Sequence, residues 1–159
     1  MRSTSPSDIE EGEERAAGFV LFRTLHLQRQ YLLLRHRNGG HWAFPKGRLE
    51  LGEDEMKAAI RETFEETTIS NLVPVPGFRE TSSYTVSRDG QWRSKTVAYF
   101  LAEATQSKVS LSTEHEAFQW LSFADAIGLL TYDESRRILT DAESLLGRSV
   151  DGREQDDPQ

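Results

Sequence analysis

Residues 47–69 constrain the fold of this chain most, because they combine a helical pattern with a concentration of carboxylates. The run from 54 to 66 contains no Gly or Pro, and Met56, Ile60 and Phe64 recur at four-residue spacing. That spacing marks one apolar face of a helix. At about 100° per residue, four glutamates group nearly opposite that face. They are Glu55, Glu62, Glu65 and Glu66.

The grouped glutamates predict a site for a cation. Like charges this close destabilise a helix and raise one another's pKa unless a cation lies among them. Clustered carboxylate oxygens suit hard divalent ions, Mg²⁺ or Mn²⁺. The segment therefore predicts a helix with one apolar face and a metal site on the other.

Composition indicates one globular domain and excludes several classes of protein. The chain has 159 residues, close to the usual domain size of about 100–150. Its 26 acidic and 19 basic residues give a net charge of −7, which excludes a broadly basic DNA-binding protein. The absence of cysteine excludes disulfide frameworks and cysteine nucleophiles. The longest apolar run near the N-terminus, 16–22, is too short to span a membrane, so we expect a cytoplasmic protein without a membrane partner.

Polar segments at both ends flank the predicted domain. Residues 1–14 and 148–159 are predicted to be mobile acidic tails, and residues 15–147 to form the domain. Strand patterns cover 17–22, 31–34, 79–86, 94–104 and 117–121, and helical patterns cover 54–66, 122–130 and 133–146. Asp89-Gly90 predicts the turn of a hairpin. Since no βα unit repeats, we expect an α+β fold with a mixed sheet covered by helices.

Within residues 47–69, six positions form a pattern of fixed spacing: Gly47, Glu53, Arg61-Glu62 and Glu65-Glu66. With average residue usage, a chain of this length would match it by chance about once in 10⁵. The segment matches the Nudix box, and the chain resembles the Nudix hydrolases. This resemblance implies an α/β/α sandwich and divalent-metal-dependent cleavage of a nucleoside diphosphate linked to another group. Thr68 departs from the family's usual Gly, so we expect an altered exit of the helix.

Four further segments are similar to the asymmetric diadenosine tetraphosphate (Ap4A) hydrolases, and the similarity spans about residues 17–146. These segments are 42–47, 77–84, 95–102 and 111–121. The resemblance implies that Lys46 and Lys95 contact the phosphate chain. It also implies that Tyr84 and Phe118 sandwich an adenine, and that Glu114 helps to bind metal or activate water.

The resemblance assigns the remaining box residues as follows. Mg²⁺ (or Mn²⁺) would be held by glutamates of the box together with Glu114; the set is Glu62, Glu65, Glu66 and Glu114. We expect Arg61 to orient the box carboxylates and Gly47 to let the loop bend tightly. Glu53 would brace the loop or reach the metal. Which carboxylate takes the proton from water stays open.

The expected reaction is hydrolysis of Ap4A to ATP and AMP by a monomer that acts on small molecules. Other Nudix substrates stay open, namely RNA 5′ ends and diphosphoinositol polyphosphates, although both would favour more cationic surroundings. A non-catalytic domain that senses a nucleotide is the alternative outside the enzymes. Such domains typically lose box glutamates, and this chain has all of them.

Overall fold

The computed structural model describes residues 13–106 and 108–156, which form eight strands and three helices. The strands are β1 (Glu13–Leu25), β2 (Gln28–His36), β3 (Trp42–Ala43), β4 (Lys46–Arg48), β5 (Leu72–Pro74), β6 (Glu80–Arg88), β7 (Gln91–Ala104) and β8 (His115–Leu121). The helices are α1 (Glu55–Thr67), α2 (Phe123–Leu129) and α3 (Asp133–Asp156). Within the described residues, no helix is long and apolar enough to cross a membrane.

All eight strands belong to one mixed sheet, so the predicted fold class is confirmed. The central path runs β3-β2-β1-β7-β5, with β4 beside β1, β6 beside β7 and β8 beside β2. β1 and β7 pair in parallel, and the other pairs are antiparallel. β1 pairs with β2 only over residues 22–25, while its earlier residues 16–18 pair with β4. This divergence opens the sheet and places β4 beside the start of β1, where both strands contact helix α1.

Helices cover both faces of the sheet, because successive side chains of a strand point to opposite sides. In β1, Phe19 and Leu21 pack towards α1, while Val20 and Phe22 pack towards α2 and α3. The α1 core and the α3 core are therefore separate, and an α/β/α sandwich results.

Helix α1 lies on the sheet with a different face from the one that its large apolar residues mark. Its buried positions are Ala58, Ala59, Thr63, Glu66 and Thr67. Ile60 and Phe64 remain 41% and 51% exposed. Small side chains let the helix axis approach the strands closely. As a result, the side of the helix that carries Glu66 turns inward.

The end of α1 corrects one prediction. Thr68 keeps the left-handed conformation that Gly usually supplies, with φ 65° and ψ 8°, and its N–H donates to the Phe64 carbonyl at 2.8 Å. The expected alteration of the helix exit was wrong. A β-branched residue instead carries the strain of the cap.

The predicted hairpin is confirmed, but the ends of the domain differ from the prediction. Arg88 pairs with Gln91, so Asp89-Gly90 forms a two-residue turn with positive φ at both positions. β1 begins at Glu13, inside the predicted tail of residues 1–14, and α3 continues through residues 148–156, which were predicted to be a tail. The rest of the predicted tails, 1–12 and 157–159, lies outside the described residues.

Candidate active site

Arg61 organises the carboxylates of the box. Its guanidinium donates two hydrogen bonds of 2.8 Å to Glu53, one of 2.8 Å to Glu62 and one of 3.2 Å to Glu65. A further N–H reaches the Arg48 carbonyl at 2.9 Å. The hydrogen bonds from Arg61 hold the pKa of Glu53 well below its usual range, at about 2. The geometry thus gives Arg61 the orienting contacts that the resemblance implied.

Glu53 joins the loop to the helix. Besides the two bonds from Arg61, its carboxylate accepts the Glu50 backbone N–H at 2.9 Å. Its oxygens are therefore engaged with the loop and Arg61. Glu55, grouped with the other glutamates by the helical pattern, lies apart from them, where it accepts hydrogen bonds from Arg15 and Arg79.

Glu66 is the most buried carboxylate of the box, with 5% of its surface exposed. Burial raises its pKa to about 8, and the nearby charges of Glu62 and Glu114 add to this effect. One oxygen accepts the Lys46 backbone N–H at 3.2 Å and lies 3.9 Å from Nε2 of His115. Burial also raises the pKa of Glu62, with contributions from Glu65 and Glu114.

The donor set fits a hard divalent cation. Carboxyls whose pKa values are raised by burial and by one another gain from a positive charge placed among them. In the ranges 13–106 and 108–156, no three carboxylate or imidazole side chains already stand in a ligating arrangement. Glu62 and Glu65 instead accept hydrogen bonds from Arg61. The residues that would hold the ion are Glu62, Glu65, Glu66 and Glu114, whose charges act on one another.

Gly47 makes room for the box, and the predicted reason for this glycine needs correction. Gly47 lies in β4 opposite Ala17, and its φ is outside the left-handed region. A Cβ added there would lie 1.9 Å from Cδ of Glu62. Glycine is therefore required here because the Glu62 carboxylate lies directly against the backbone of β4. A tight bend is not the reason. Gly52, with φ 78°, supplies the bend before the helix.

A cavity of about 550 Å³ lies on the other face of the sheet, between β6, β4 and the start of α3. Lys46 and Lys95 both line it. Burial and the charge of Lys46 lower the pKa of Lys95 to about 8, so these two predicted phosphate contacts are close together. Nζ of Lys95 lies 5.9 Å from the centre of the Tyr84 ring. Since Lys46 and Gly47 are adjacent in β4, they point to opposite faces and connect the cavity to the box.

The structure does not bring together Tyr84 and Phe118, the two residues expected to sandwich an adenine and thus form an aromatic clamp. Tyr84 is in register with Lys95 and faces the cavity. Phe118 is in register with Leu34, which packs towards α1, so its ring lies on the opposite face of the sheet. Directly paired strand residues point to the same side, and the registers therefore separate these rings.

Tyr132, rather than Phe118, shares the cavity with Tyr84. It lies just before α3, is 53% exposed and lines the cavity together with Tyr84. Its ring centre is 5.6 Å from that of His41, which also lines the cavity. Sequence reasoning missed Tyr132 because it lies in a connection between two helices, where no periodicity gives its orientation. An aromatic residue directly before a helix was the only available signal.

Glu114 and its neighbours approach the box from the loop before β8. The Ser112 N–H donates to the Glu66 carbonyl at 3.2 Å, and the His115 ring is buried. His36 stacks on His41 with ring centres 4.3 Å apart, and burial lowers the pKa of His36 to about 4. His36 is therefore neutral near pH 7. His36 and His41 are cavity residues that the sequence argument did not select.

Comparison with known proteins identifies the class to which this fold and site belong. A model of the NUDIX domain matches residues 12–142, and the chain therefore belongs to the Nudix hydrolase family. Members of this family generally use divalent metal ions.

Particular relatives are the asymmetric bis(5′-nucleosyl)-tetraphosphatases. The enzyme of Rattus norvegicus is 35% identical over 143 residues, which cover 83% of this chain and 95% of the rat protein. That of Caenorhabditis elegans is 35% identical over 134 residues, covering 83% and 96%. A crystal structure of a C. elegans Ap4A hydrolase binary complex superposes with a TM-score of 0.77 at 36% identity, covering 84% of this chain and 98% of that chain.

Proposed function

We propose that this protein hydrolyses Ap4A asymmetrically to ATP and AMP with Mg²⁺ as its cofactor. The observation that carries the proposal is the arrangement around β4. Lys46 faces a cavity with two exposed tyrosines and a second lysine, and the adjacent Gly47 makes room for a box glutamate. The tyrosines can therefore bind an adenine, the lysines the phosphate chain, and the box glutamates a metal ion beside that chain. The named activity of the relatives supports the same assignment.

Tyr84 and Tyr132 hold one adenine of the substrate. Both rings line the cavity and remain partly exposed, at 43% and 53%, so their faces are available for stacking. Stacking of a base on an aromatic side chain contributes about 1–3 kcal/mol. Lys46 and Lys95 bind the adjoining phosphates, where their charge also opposes the negative charge that grows in the transition state.

Glu62, Glu65, Glu66 and Glu114 hold the Mg²⁺. When bound, the ion neutralises phosphate charge and lowers the pKa of a bound water. Arg61 fixes Glu62 and Glu65, and Glu53 fixes Arg61. The water oxygen forms a bond to one phosphorus, and the bridging P–O bond on that phosphorus breaks. Because one adenine is anchored, the same bridge is cut in each turnover, and the products are unequal because this bridge is an outer one of the three.

The proposal is tested by product analysis after incubation with Ap4A, ADP-ribose, capped RNA and a diphosphoinositol polyphosphate, each with Mg²⁺ and with EDTA. We expect Ap4A to be consumed fastest, ATP and AMP to be the products, and EDTA to abolish the reaction. Preferential turnover of another substrate would refute the proposal. A panel without any metal-dependent hydrolysis would favour nucleotide sensing.

A variant of Glu66 separates the metal site from general folding effects. Glu66→Gln should lower kcat at least about 10³-fold, because several kcal/mol of electrostatic stabilisation are lost. Its melting temperature should not fall, since burial already disfavours this charge. Glu103→Gln on β7 serves as a matched control and should retain activity. A Glu66→Gln protein with more than a tenth of wild-type kcat would contradict the metal assignment.

A further inference from the structure

The buried carboxylate of Glu14 in β1 forms an ion pair with Arg88 at the edge of the cavity. Only 3% of the Glu14 side chain is exposed. Nε of Arg88 lies 3.1 Å from one Glu14 oxygen, and Nε of Arg48 lies 3.6 Å from the other. From the described residues, neither oxygen receives an aligned hydrogen bond. A buried carboxylate held only by charge is costly, so its cations contribute most of its stabilisation.

Arg88 lines the cavity because of its position in strand β6. Five residues of β6 line the cavity: Ser82, Tyr84, Val86 and Arg88, which alternate along the strand, and Ser83. The four alternating residues share one face because side chains of a strand repeat every two residues. Arg88 is the last of them, and its side chain returns to Glu14, which pairs with Lys95 across β1 and β7. Its side chain therefore turns back towards the phosphate lysine, while 47% of it stays exposed.

Electrostatic effects on two neighbours agree with this position. The charge of Arg88 contributes to the lowered pKa of Lys95, after burial and Lys46. It also opposes the rise that burial causes in the pKa of Tyr84. Arg88 thus acts on both the lysine and the clamp tyrosine. Arg48 shares the anion Glu14, but its side chain is 69% exposed, and it is not among the residues that line the cavity.

We propose that Arg88 is a third cationic contact for the polyphosphate of the substrate, held ready by Glu14 when the cavity is empty. This inference rests on the proposed function. A guanidinium can bind phosphate oxygens in a bidentate manner, which the lysines cannot do. Together with Lys46 and Lys95 it makes the cavity selective for nucleotides with a long phosphate chain over nucleosides. Glu14 is a positioning residue, because it acts through Arg88.

Calorimetric titration in EDTA tests the contact without any turnover. ATP and adenosine are titrated into the wild-type protein, Arg88→Gln and the matched control Arg48→Gln, which loses the same charge beside the same carboxylate. Arg88→Gln should weaken ATP binding about 10-fold, as expected for one charge-assisted hydrogen-bonded contact, and adenosine binding less than about 2-fold. Arg48→Gln should change both less than about 2-fold. Arg88→Lys, which keeps the charge but not the fork, should fall between wild type and Arg88→Gln and guards against misfolding.

Three results would overturn the inference: no measurable ATP binding by the wild-type protein, equal ATP affinity of Arg88→Gln and wild type, or an equal loss for ATP and adenosine. The last result would make Arg88 a contact for the base. Kinetics with Ap4A distinguish this failure from that of the proposed function. If wild type hydrolyses Ap4A and Arg88→Gln has an unchanged KM, only the role of Arg88 fails. If ATP binding depends on Arg88 but Ap4A is not hydrolysed, the contact stands and the proposed function fails.

Discussion

Thr68 carries backbone strain at the end of helix α1. Its φ of 65° lies in the left-handed region, where a β-branched side chain is disfavoured. The cap is nevertheless kept, because its N–H bonds to Phe64 and the following Ile69 is fully buried. Contacts on either side therefore impose the conformation on the residue.

Replacing Thr68 by glycine should stabilise the protein. Relief of the left-handed strain is worth about 1 kcal/mol or somewhat more, which raises the melting temperature of a domain this size by about 2–4 °C. Thermal unfolding followed by circular dichroism measures the change. Thr67→Gly is the control, because Thr67 is helical and buried, and it should lower the melting temperature. A lower melting temperature for Thr68→Gly would contradict strain at this position.

Lys95 gives substrate binding a dependence on pH. Burial and Lys46 lower its pKa to about 8, so the side chain is charged below that pH and becomes neutral above it. KM for Ap4A should therefore rise as the pH increases through about 8. Lys95→Arg keeps its charge throughout and should remove most of this rise, as measured from KM between about pH 6.5 and 9.5. Identical profiles for the two proteins would assign the titration to another group.

At the scale of elements, strand register decides which aromatic residues line the cavity proposed to bind the base. β6 lies beside β7 and turns Tyr84 to the α3 side, whereas β8 lies beside β2 and turns Phe118 to the α1 side. The loop before α3 then supplies Tyr132. The cavity is thus assembled from β4, the β6–β7 hairpin and the start of α3.

Truncation of the aromatic residues tests this assignment. Tyr84→Ala and Tyr132→Ala should each raise KM for Ap4A about 10- to 100-fold with little change in kcat, because stacking is lost. Phe118→Ala should leave KM unchanged. Thermal unfolding checks the alternative that Tyr84 is a core residue, in which case truncation would cost about 3–5 kcal/mol and lower the melting temperature by ten degrees or more. A raised KM for Phe118→Ala with a normal KM for Tyr132→Ala would reverse the assignment.

The elements that sequence predicts well are those set by short-range chemistry. Asp89-Gly90 specifies its turn locally, and Asp54 caps α1 through the Lys57 N–H. The rotation of α1 was less accessible, because close packing of Ala58 and Ala59 outweighs the pattern of Ile60 and Phe64. Such packing depends on the sheet beneath the helix, which no local pattern describes.

The candidate site was predictable where its residues share one motif and less so where distant segments meet. Helical spacing grouped Glu62, Glu65 and Glu66 correctly but added Glu55, and the resemblance to the Nudix box implied the orienting role of Arg61. Tyr132 and Arg88 face the cavity because of pairings that involve distant strands and helices. Glu14 was assigned to a mobile tail, yet it is buried in β1 between Arg48 and Arg88. Its acidic neighbours in sequence obscured the strand.

In the whole molecule, the cavity and the carboxylates of the box lie on opposite faces of the sheet and meet at β4. The α3 face holds the cavity with its tyrosines and cations, and the α1 face holds the carboxylates of the box. Lys46 lines the cavity, and the adjacent Gly47 lies against Glu62 of the box. A substrate bound in this way has one end fixed in the cavity while the phosphorus near β4 meets the metal site. Binding of this kind requires that water always attacks the same phosphorus.

Hydrolysis of Ap4A in ¹⁸O-labelled water, followed by mass spectrometry of the products, tests this requirement most directly. We expect equal amounts of ATP and AMP, with ¹⁸O in only one of the two, because water always attacks the phosphorus that lies beside the box when the adenine is anchored. ADP as the main product would place the cut at the central bridge and contradict asymmetric cleavage, and label divided between ATP and AMP would show that the anchored adenine does not fix the point of attack.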